Sequence, residues 1–316
     1  MRLVLAGTPA VALPALEALV ASSHDVVGVV TRPDAPAGRG RRLEASPVAQ
    51  RADELGLPVL KPDHPREPAF LDALRDLAPD CCPVVAYGAM LPEAALAVPE
   101  HGWVNLHFSC LPRWRGAAPV QHALWAGDEV TGATTFRIVE ALAAGPTFGV
   151  MTERVRPRDT AGTLLDRLAE GGAGLLVATL DGLEDGSVDA RPQQPEGLTL
   201  APKIEVADAE VDLTRAAEVV DRQVRACTPA PGAWTTWQGE RLKLGPVEPV
   251  GAGGPGGDAP GPGVLVVGKR EVLLGTGTGP VRLGEVKPPG KGWMDAASWA
   301  RGAHPAPGAT LGGPRA

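Results

Sequence analysis

Short β-branched apolar runs alternate with amphipathic segments through the first two-thirds of the chain, and nothing else in the sequence constrains the fold as strongly. Residues 2–6 and 25–31 are strand-like, with an apolar-periodic segment over 12–21 between them. Helical spacing follows over 47–55, an extended run over 57–60, and helical spacing again over 68–77. Strands over 84–87, 103–107, 133–139 and 149–155 and helices over 92–97, 118–126 and 161–183 continue the series. Strands separated by helices are joined side by side through crossovers, so the pattern predicts an α/β fold with a doubly wound, mostly parallel sheet.

The alternation stops near Gly186. Residues 189–207 contain Pro192, Pro195 and Pro202 without a sustained period and read as a linker. One amphipathic segment over 216–226 follows, then short strand-like runs over 233–237, 241–244, 264–267, 272–274 and 281–286. Several short strands at this spacing predict a small β-barrel, with the Gly- and Pro-rich stretch 251–263 as a loop within it. The expected organisation is a sheet domain over 1–188, the linker over 189–207 and the β-domain over 208–316. A chain of 316 residues is long enough for two such cores.

No stretch is apolar for the length a membrane helix requires, and the amino-terminal residues read as a first strand entering a turn rather than a signal peptide. Cys81, Cys82, Cys110 and Cys227 lack metal-ligand spacing, which predicts free cytosolic thiols and no metal. The net charge of −7 argues against a general nucleic-acid coat. It is unevenly spread: residues 208–316 carry 12 Lys and Arg against 11 Asp and Glu, leaving 18 against 26 in residues 1–207. A near-neutral carboxyl-terminal third suits a weak polyanion contact. A cytoplasmic monomer is the default expectation.

Chemistry concentrates in residues 102–121. An apolar strand runs into Asn105 and His107, which lie two apart and therefore project to the same face. Polar side chains at the carboxyl end of a core strand occupy the edge where open α/β sheets bind ligands. An amide donor beside an imidazole suits oxyanion stabilisation and proton handling in acyl transfer. A Ser-x-Leu-Pro turn follows, then the doubly basic Arg113-Trp114-Arg115-Gly116. His24, His64, His101, His122 and His304 lack such company and read as surface or structural residues.

Three other segments leave two readings open. Gly7-Thr8-Pro9, after the first strand, is either a tight turn or an anion site, and it lacks the spacing of a dinucleotide fingerprint. The loop from Thr31 to Arg42 carries Arg32, Arg39, Arg41 and Arg42 among Pro and Gly, as either a solvated loop or a phosphate-reading one. Arg222 and Arg225, three apart on a helix, form either a solvated face or a basic patch with Arg241 and Lys243.

Taken together, these motifs resemble the methionyl-tRNA formyltransferase family of folate-dependent formyltransferases. Four agree in order over nearly the whole chain: Gly7-Thr8-Pro9; Arg32-Pro33-Asp34 through Ala37-Gly38-Arg39-Gly40; Ala86-Tyr87-Gly88 with Leu91-Pro92; and Asn105-x-His107 leading into Ser109-x-Leu111-Pro112-x-Trp114-Arg115-Gly116. The Pro-Ala-Gly-Arg-Gly loop and Pro229-Ala230-Pro231-Gly232-Ala233-Trp234 resemble the tRNA enzyme in particular. The resemblance implies a Rossmann-like catalytic domain followed by an OB-like barrel. It further implies transfer of a formyl group from 10-formyltetrahydrofolate to the α-amine of initiator methionyl-tRNA, without a metal. By the same resemblance, Asn105 and His107 are catalytic, and Ser109, Cys110, Leu111 and Pro112 line the folate site. Arg39, Arg41 and Arg42 would enter the acceptor stem, and the carboxyl-terminal domain, with Arg222 and Arg225, would hold tRNA phosphates.

Two departures stand out. The family's Gly-Leu-Asp-x-Gly loop appears here as Ala141-Leu142-Ala143-Ala144-Gly145, so a catalytic carboxylate is replaced by Ala143 and a leading glycine by Ala141. Loss of such a group typically costs ~10²- to 10⁴-fold in rate. Alanine at 141 adds strain if that position needs a positive φ. Glu140 is a nearby carboxylate that would need a loop shift to substitute. Cys110 stands where the family usually has Leu. Besides an impaired formyltransferase, the sequence leaves open a non-catalytic tRNA- or folate-binding homologue and another folate-dependent formyl-transfer or formyl-hydrolysing enzyme.

Overall fold

The computed structural model describes residues 1–37, 42–251 and 259–312. The chain forms two compact units. One comprises Met1–Pro119, Val130–Arg154 and Leu165–Ala201; the other comprises Val120–Glu129, Val155–Leu164 and Pro202–Ala316.

The first unit is built on a seven-stranded sheet. Its strands are β1 (Arg2–Gly7), β2 (Asp25–Val30), β3 (Val59–Leu60), β4 (Cys82–Val85), β5 (Trp103–His107), β6 (Val130–Arg137) and β7 (Thr147–Arg154), in the order β7-β6-β5-β4-β1-β2-β3. The five strands from β3 to β5 pair in parallel, and β6 and β7 extend the sheet as an antiparallel hairpin. The expected Rossmann-like, mostly parallel sheet is therefore what the chain forms. Leu3, Val4, Leu5, Val85 and Val104 are fully buried, as required of parallel strands covered on both faces. Between β1 and β4 the strand order reverses direction, which opens a crevice at their carboxyl ends.

Local sequence fixes the elements around that crevice. Ser46 accepts a hydrogen bond from the Ala49 amide, and Pro47 occupies the first turn, so the helix Pro47–Glu54 starts on a pre-formed cap. The Ser46 hydroxyl also meets Thr31 at 2.6 Å, tying that helix to the end of β2. The Thr8 hydroxyl donates to the Tyr87 carbonyl and accepts from the Arg32 amide. The Gly7-Thr8-Pro9 turn thus stitches the exits of β1, β2 and β4 together. Trp103, almost fully buried, donates its indole N–H to Ala95 at 2.8 Å and anchors the start of β5.

His24 sits at the amino-terminal edge of β2, buried and within 3.1 Å of Asp181 and 3.5 Å of Glu184 on the long helix Ala161–Glu184. Its role there is structural. Cys81, Cys82 and Cys227 are buried thiols. Burial pushes Cys81 up to about 12 and Cys227 up to about 11, which leaves them protonated and unreactive.

Three features add to the sequence expectation. The Arg-rich loop carries a short antiparallel hairpin, Ala35–Ala37 against Arg42–Glu44. Leu43 on it is exposed, and no apolar period marks it. Residues 189–207, which lack a period, are nevertheless docked: Leu200–Ala201 pairs in parallel with Arg115–Gly116. A Cβ at Gly116, whose φ is +142°, would collide with the Ala201 carbonyl, so only glycine allows this backbone approach. Backbone pairing of this kind leaves no trace in hydrophobic periodicity. Ala141 is not among the residues with positive φ, so the loss of glycine there introduces no strain.

The second unit contains the helix Ala217–Ala226 and two four-stranded antiparallel sheets. One sheet pairs Trp234–Trp237, Glu240–Leu244, Glu285–Lys287 and Met294–Asp295; the other pairs Glu248–Pro249, Val272–Gly275, Leu265–Val267 and Pro280–Arg282. The two-residue strands and the closing helix Ala296–Ala303, capped by Asp295 on the Ser298 amide, carry too little pattern to be read from sequence. Among the described residues, no helix is long and apolar enough to cross a membrane.

Candidate active site

Asn105 and His107 occupy the carboxyl-terminal half of β5, on one face, as the period of two requires. Asn105 lies opposite Val84 of β4 and Phe136 of β6, and His107 lies opposite Thr134. Asn105 is half-buried and His107 is 8% exposed. The His107 Nε2 lies 2.9 Å from the Trp114 carbonyl oxygen. A carbonyl only accepts, so Nε2 carries the proton and Nδ1 holds the lone pair. The ring also stands edge-on to Phe136, with centroids 6.2 Å apart. Burial lowers the His107 pKa, and the bond to Trp114 offsets this only in part. The imidazole is therefore neutral at pH 7, in one fixed tautomer.

The turn after β5 is pinned from below. Thr134 donates to the Ser109 carbonyl at 2.6 Å and accepts from the Leu111 amide. Ser109 is fully buried and donates its hydroxyl to the Arg113 carbonyl. Its side chain shapes the turn from within. Cys110, Leu111 and Pro112 remain half-buried at the strand exit. The Cys110 thiol turns toward Gly132 of β6 and the Met151 carbonyl of β7, so the smaller residue packs into the sheet.

The loop joining β6 to β7 holds Ala143, which is buried and adopts φ +51°. A Cβ at Gly145 would overlap the Arg137 carbonyl, so the final glycine of the loop is sterically obligatory. Glu140 is exposed and lines a cavity of about 960 Å³. That cavity is also lined by Arg32, His64 and Arg66 and by residues 88–92 after β4. It lies at the strand ends beside the switch point, on the ligand-binding edge of such sheets. Asn105 and His107 are not among its lining residues. His64, read from sequence as surface or structural, does line it; a lone histidine in a loop carries no local signal of that kind.

Arg42 is exposed on the hairpin, whereas Arg39 and Arg41 lie outside the described residues. In the second unit the expected pair on the helix Ala217–Ala226 divides. Arg225 is 7% exposed, pairs with Asp221 at 2.8 Å and donates to the Asp159 carbonyl. It is thus internal, held by i,i+4 pairing with an acid on the same helix. Arg222 is half-buried and packs over Gly127. Elsewhere in this unit, Arg241, Lys243 and Lys287 line a groove of about 390 Å³ with Glu240 and residues 288–290. Arg241 stacks on Trp234, 4.1 Å from the ring centroid.

Arg225→Ala removes one partner of a buried ion pair, and the expected cost is about 3 kcal/mol of stability. Denaturant unfolding checks this; parental stability in Arg225→Ala would contradict the internal assignment.

Comparison with known proteins shows the family. Residues 1–180 match the formyl transferase family, and residues 203–304 match the formyl transferase C-terminal domain. The chain is 71% identical over 312 residues to a methionyl-tRNA formyltransferase of Nocardioides sp., covering 99% of this chain and 98% of that protein. It is 63% identical to the methionyl-tRNA formyltransferase of Streptomyces coelicolor, covering 99% and 100%. The solved methionyl-tRNA formyltransferase from Clostridium thermocellum shares the fold at a TM-score of 0.57 and 13% identity, covering 79% of this chain and 94% of that one. HypX from Aquifex aeolicus in complex with tetrahydrofolic acid shares it at a TM-score of 0.63 and 18% identity, covering 95% and 46%. By its two matched domains and its end-to-end relatives, this chain belongs to the methionyl-tRNA formyltransferase family.

Proposed function

We propose that the chain transfers the formyl group of 10-formyltetrahydrofolate to the α-amine of initiator methionyl-tRNA, acting as a cytoplasmic monomer. Its rate is reduced because position 143 carries no carboxylate. The observation that carries this reading is the pair Asn105 and His107 at the exit of β5, with a buried neutral imidazole whose Nε2–H is committed to Trp114.

The donor supplies an electrophilic formyl carbon, and the chain's residues do the rest. Attack by the amine places negative charge on the formyl oxygen, where the Asn105 side-chain N–H donates. The lone pair on His107 Nδ1 takes a proton from the attacking nitrogen, and cleavage of the original carbon–nitrogen bond needs a proton returned to the folate nitrogen. The cavity beside the switch point fits a ligand of folate size. Arg32 and Arg66 there match carboxylates of its tail, and residues 88–92 suit its planar ring. Leu111 and Pro112 offer apolar contacts at the strand exit. For the acceptor, Arg42, with Arg39 and Arg41, supplies guanidinium groups for the stem, and the groove of Arg241, Lys243 and Lys287 suits phosphates.

The buried methyl at Ala143 favours one second reading, a homologue that binds tRNA and folate without turnover. Formylation of charged initiator tRNA with 10-formyltetrahydrofolate decides between the two. Slow but enzyme-dependent product supports the proposal, and tRNA binding without product supports the second reading. In the same assay Arg42→Ala should weaken tRNA binding across sequences and lower the salt slope by about one ion. An unchanged slope would remove Arg42 from the interface.

A further inference from the structure

Three separate stretches of the first unit meet at one side-chain amide, and we infer that Gln193 positions the 141–145 loop for catalysis, an inference that rests on the formyltransferase reading above. The Gln193 Nε2 donates to the Ala143 carbonyl at 2.9 Å and to the Gly145 carbonyl at 2.7 Å. Its Oε1 accepts from Arg115 Nε at 2.9 Å and from Arg115 Nη2 at 2.7 Å. Both donors and both acceptor sites of the amide are thereby used, as the inventory of an amide allows.

Each partner matters to the site. Ala143 occupies the position of the expected carboxylate and holds φ +51°, a conformation that costs energy in a residue with a Cβ. Two hydrogen bonds on the carbonyls flanking Ala144 offset that cost and fix the direction of the residue 143 side chain. Arg115 follows Trp114, whose carbonyl receives the His107 Nε2–H. The Trp114 amide in turn donates to Thr199 Oγ1, and the Arg115 amide to the Thr199 carbonyl. One amide from the segment 189–207 therefore couples the loop carrying residue 143 to the backbone that orients the imidazole. Arg115 is spent on this contact, so half of the doubly basic Arg113-Trp114-Arg115 segment serves position rather than phosphate.

Two substitutions separate positioning from mere support. Gln193→Glu keeps an acceptor for Arg115 but removes both N–H donors and sets a carboxylate against two carbonyls. Gln193→Lys keeps donors for the carbonyls and loses the acceptor for Arg115. In the Ala143→Asp background, where the clamped loop carries a carboxylate, the expected result is a fall in kcat of roughly tenfold to hundredfold in Gln193→Glu, with KM for tRNA and for the folate donor within about twofold of that background. Gln193→Lys should recover part of that kcat. An unchanged kcat in Gln193→Glu would overturn the inference, because the Arg115 contact alone would then suffice. If that background itself yields no formylated product, the formyltransferase reading fails, and amide exchange judges the clamp independently. Faster exchange of the Ala144 N–H, bonded to the Ala141 carbonyl in the intact loop, supports it in Gln193→Glu; unchanged exchange overturns it.

Discussion

Ala143→Asp should raise kcat/KM for formylation of methionyl-tRNA by about 10²- to 10⁴-fold, the range associated with restoring a general acid or base. Each factor of ten corresponds to about 1.4 kcal/mol of transition-state stabilisation, so the expected gain is about 3 to 5 kcal/mol. The backbone is prepared for the change. At φ +51° an aspartate is better tolerated than an alanine, because its short polar side chain bonds locally in the left-handed region. The buried environment of residue 143 disfavours the charged form and moves a carboxyl group toward the operating pH, where proton transfer is efficient. The same desolvation should lower the melting temperature slightly, so activity and stability are expected to move in opposite directions. Equal activity in the two proteins would show that another group already serves. Glu140, exposed on the cavity wall, is the group to test by Glu140→Gln in both backgrounds. No product from either protein, with tRNA binding intact, would establish the non-catalytic reading.

The mostly parallel sheet and the strand that carries Asn105 and His107 are legible in the sequence because each leaves a periodic or positional trace. Apolar runs bounded by turns mark β1, β2, β4 and β5, and two polar residues spaced by two at a strand end mark Asn105 and His107. What stays hidden depends on contacts between distant residues. Gln193 meets Ala143 and Arg115 across 50 and 78 residues, and no local pattern records such a pairing. Ser109 and Arg225 show the complementary case. Their residue types suit a ligand site, but burial and an internal partner claim them, and periodicity reports only the face, not what covers it. The cavity lining has the same origin: Arg32, His64 and Glu140 come from three loops that only the sheet edge brings together.

His107→Gln should lower kcat by about 10²-fold or more while leaving KM for tRNA within about twofold. The glutamine N–H can still reach the Trp114 carbonyl, so the variant retains the anchor and loses the lone pair on Nδ1. Under the proposed mechanism that loss matters more here than in a site with a carboxylate at 143, because the imidazole is then the main proton acceptor. The pH dependence follows from the sign of the shift. Burial lowers the pKa of His107 in the folded chain below the value of about 6.5 expected when it is unfolded. The unfolded state therefore binds more protons just below that pH. The stability contributed by the neutral buried imidazole is complete above about pH 6.5, and it is lost as the pH falls from there toward the folded pKa. Formylation should decline at a lower pH than 6.5, since the folded group titrates later. His107→Gln should flatten this acid-side loss of melting temperature, and it should remove the corresponding limb from the residual rate. Parental kcat in His107→Gln would take the imidazole out of the chemistry. An unchanged acid limb of stability would mean that His107 does not set it.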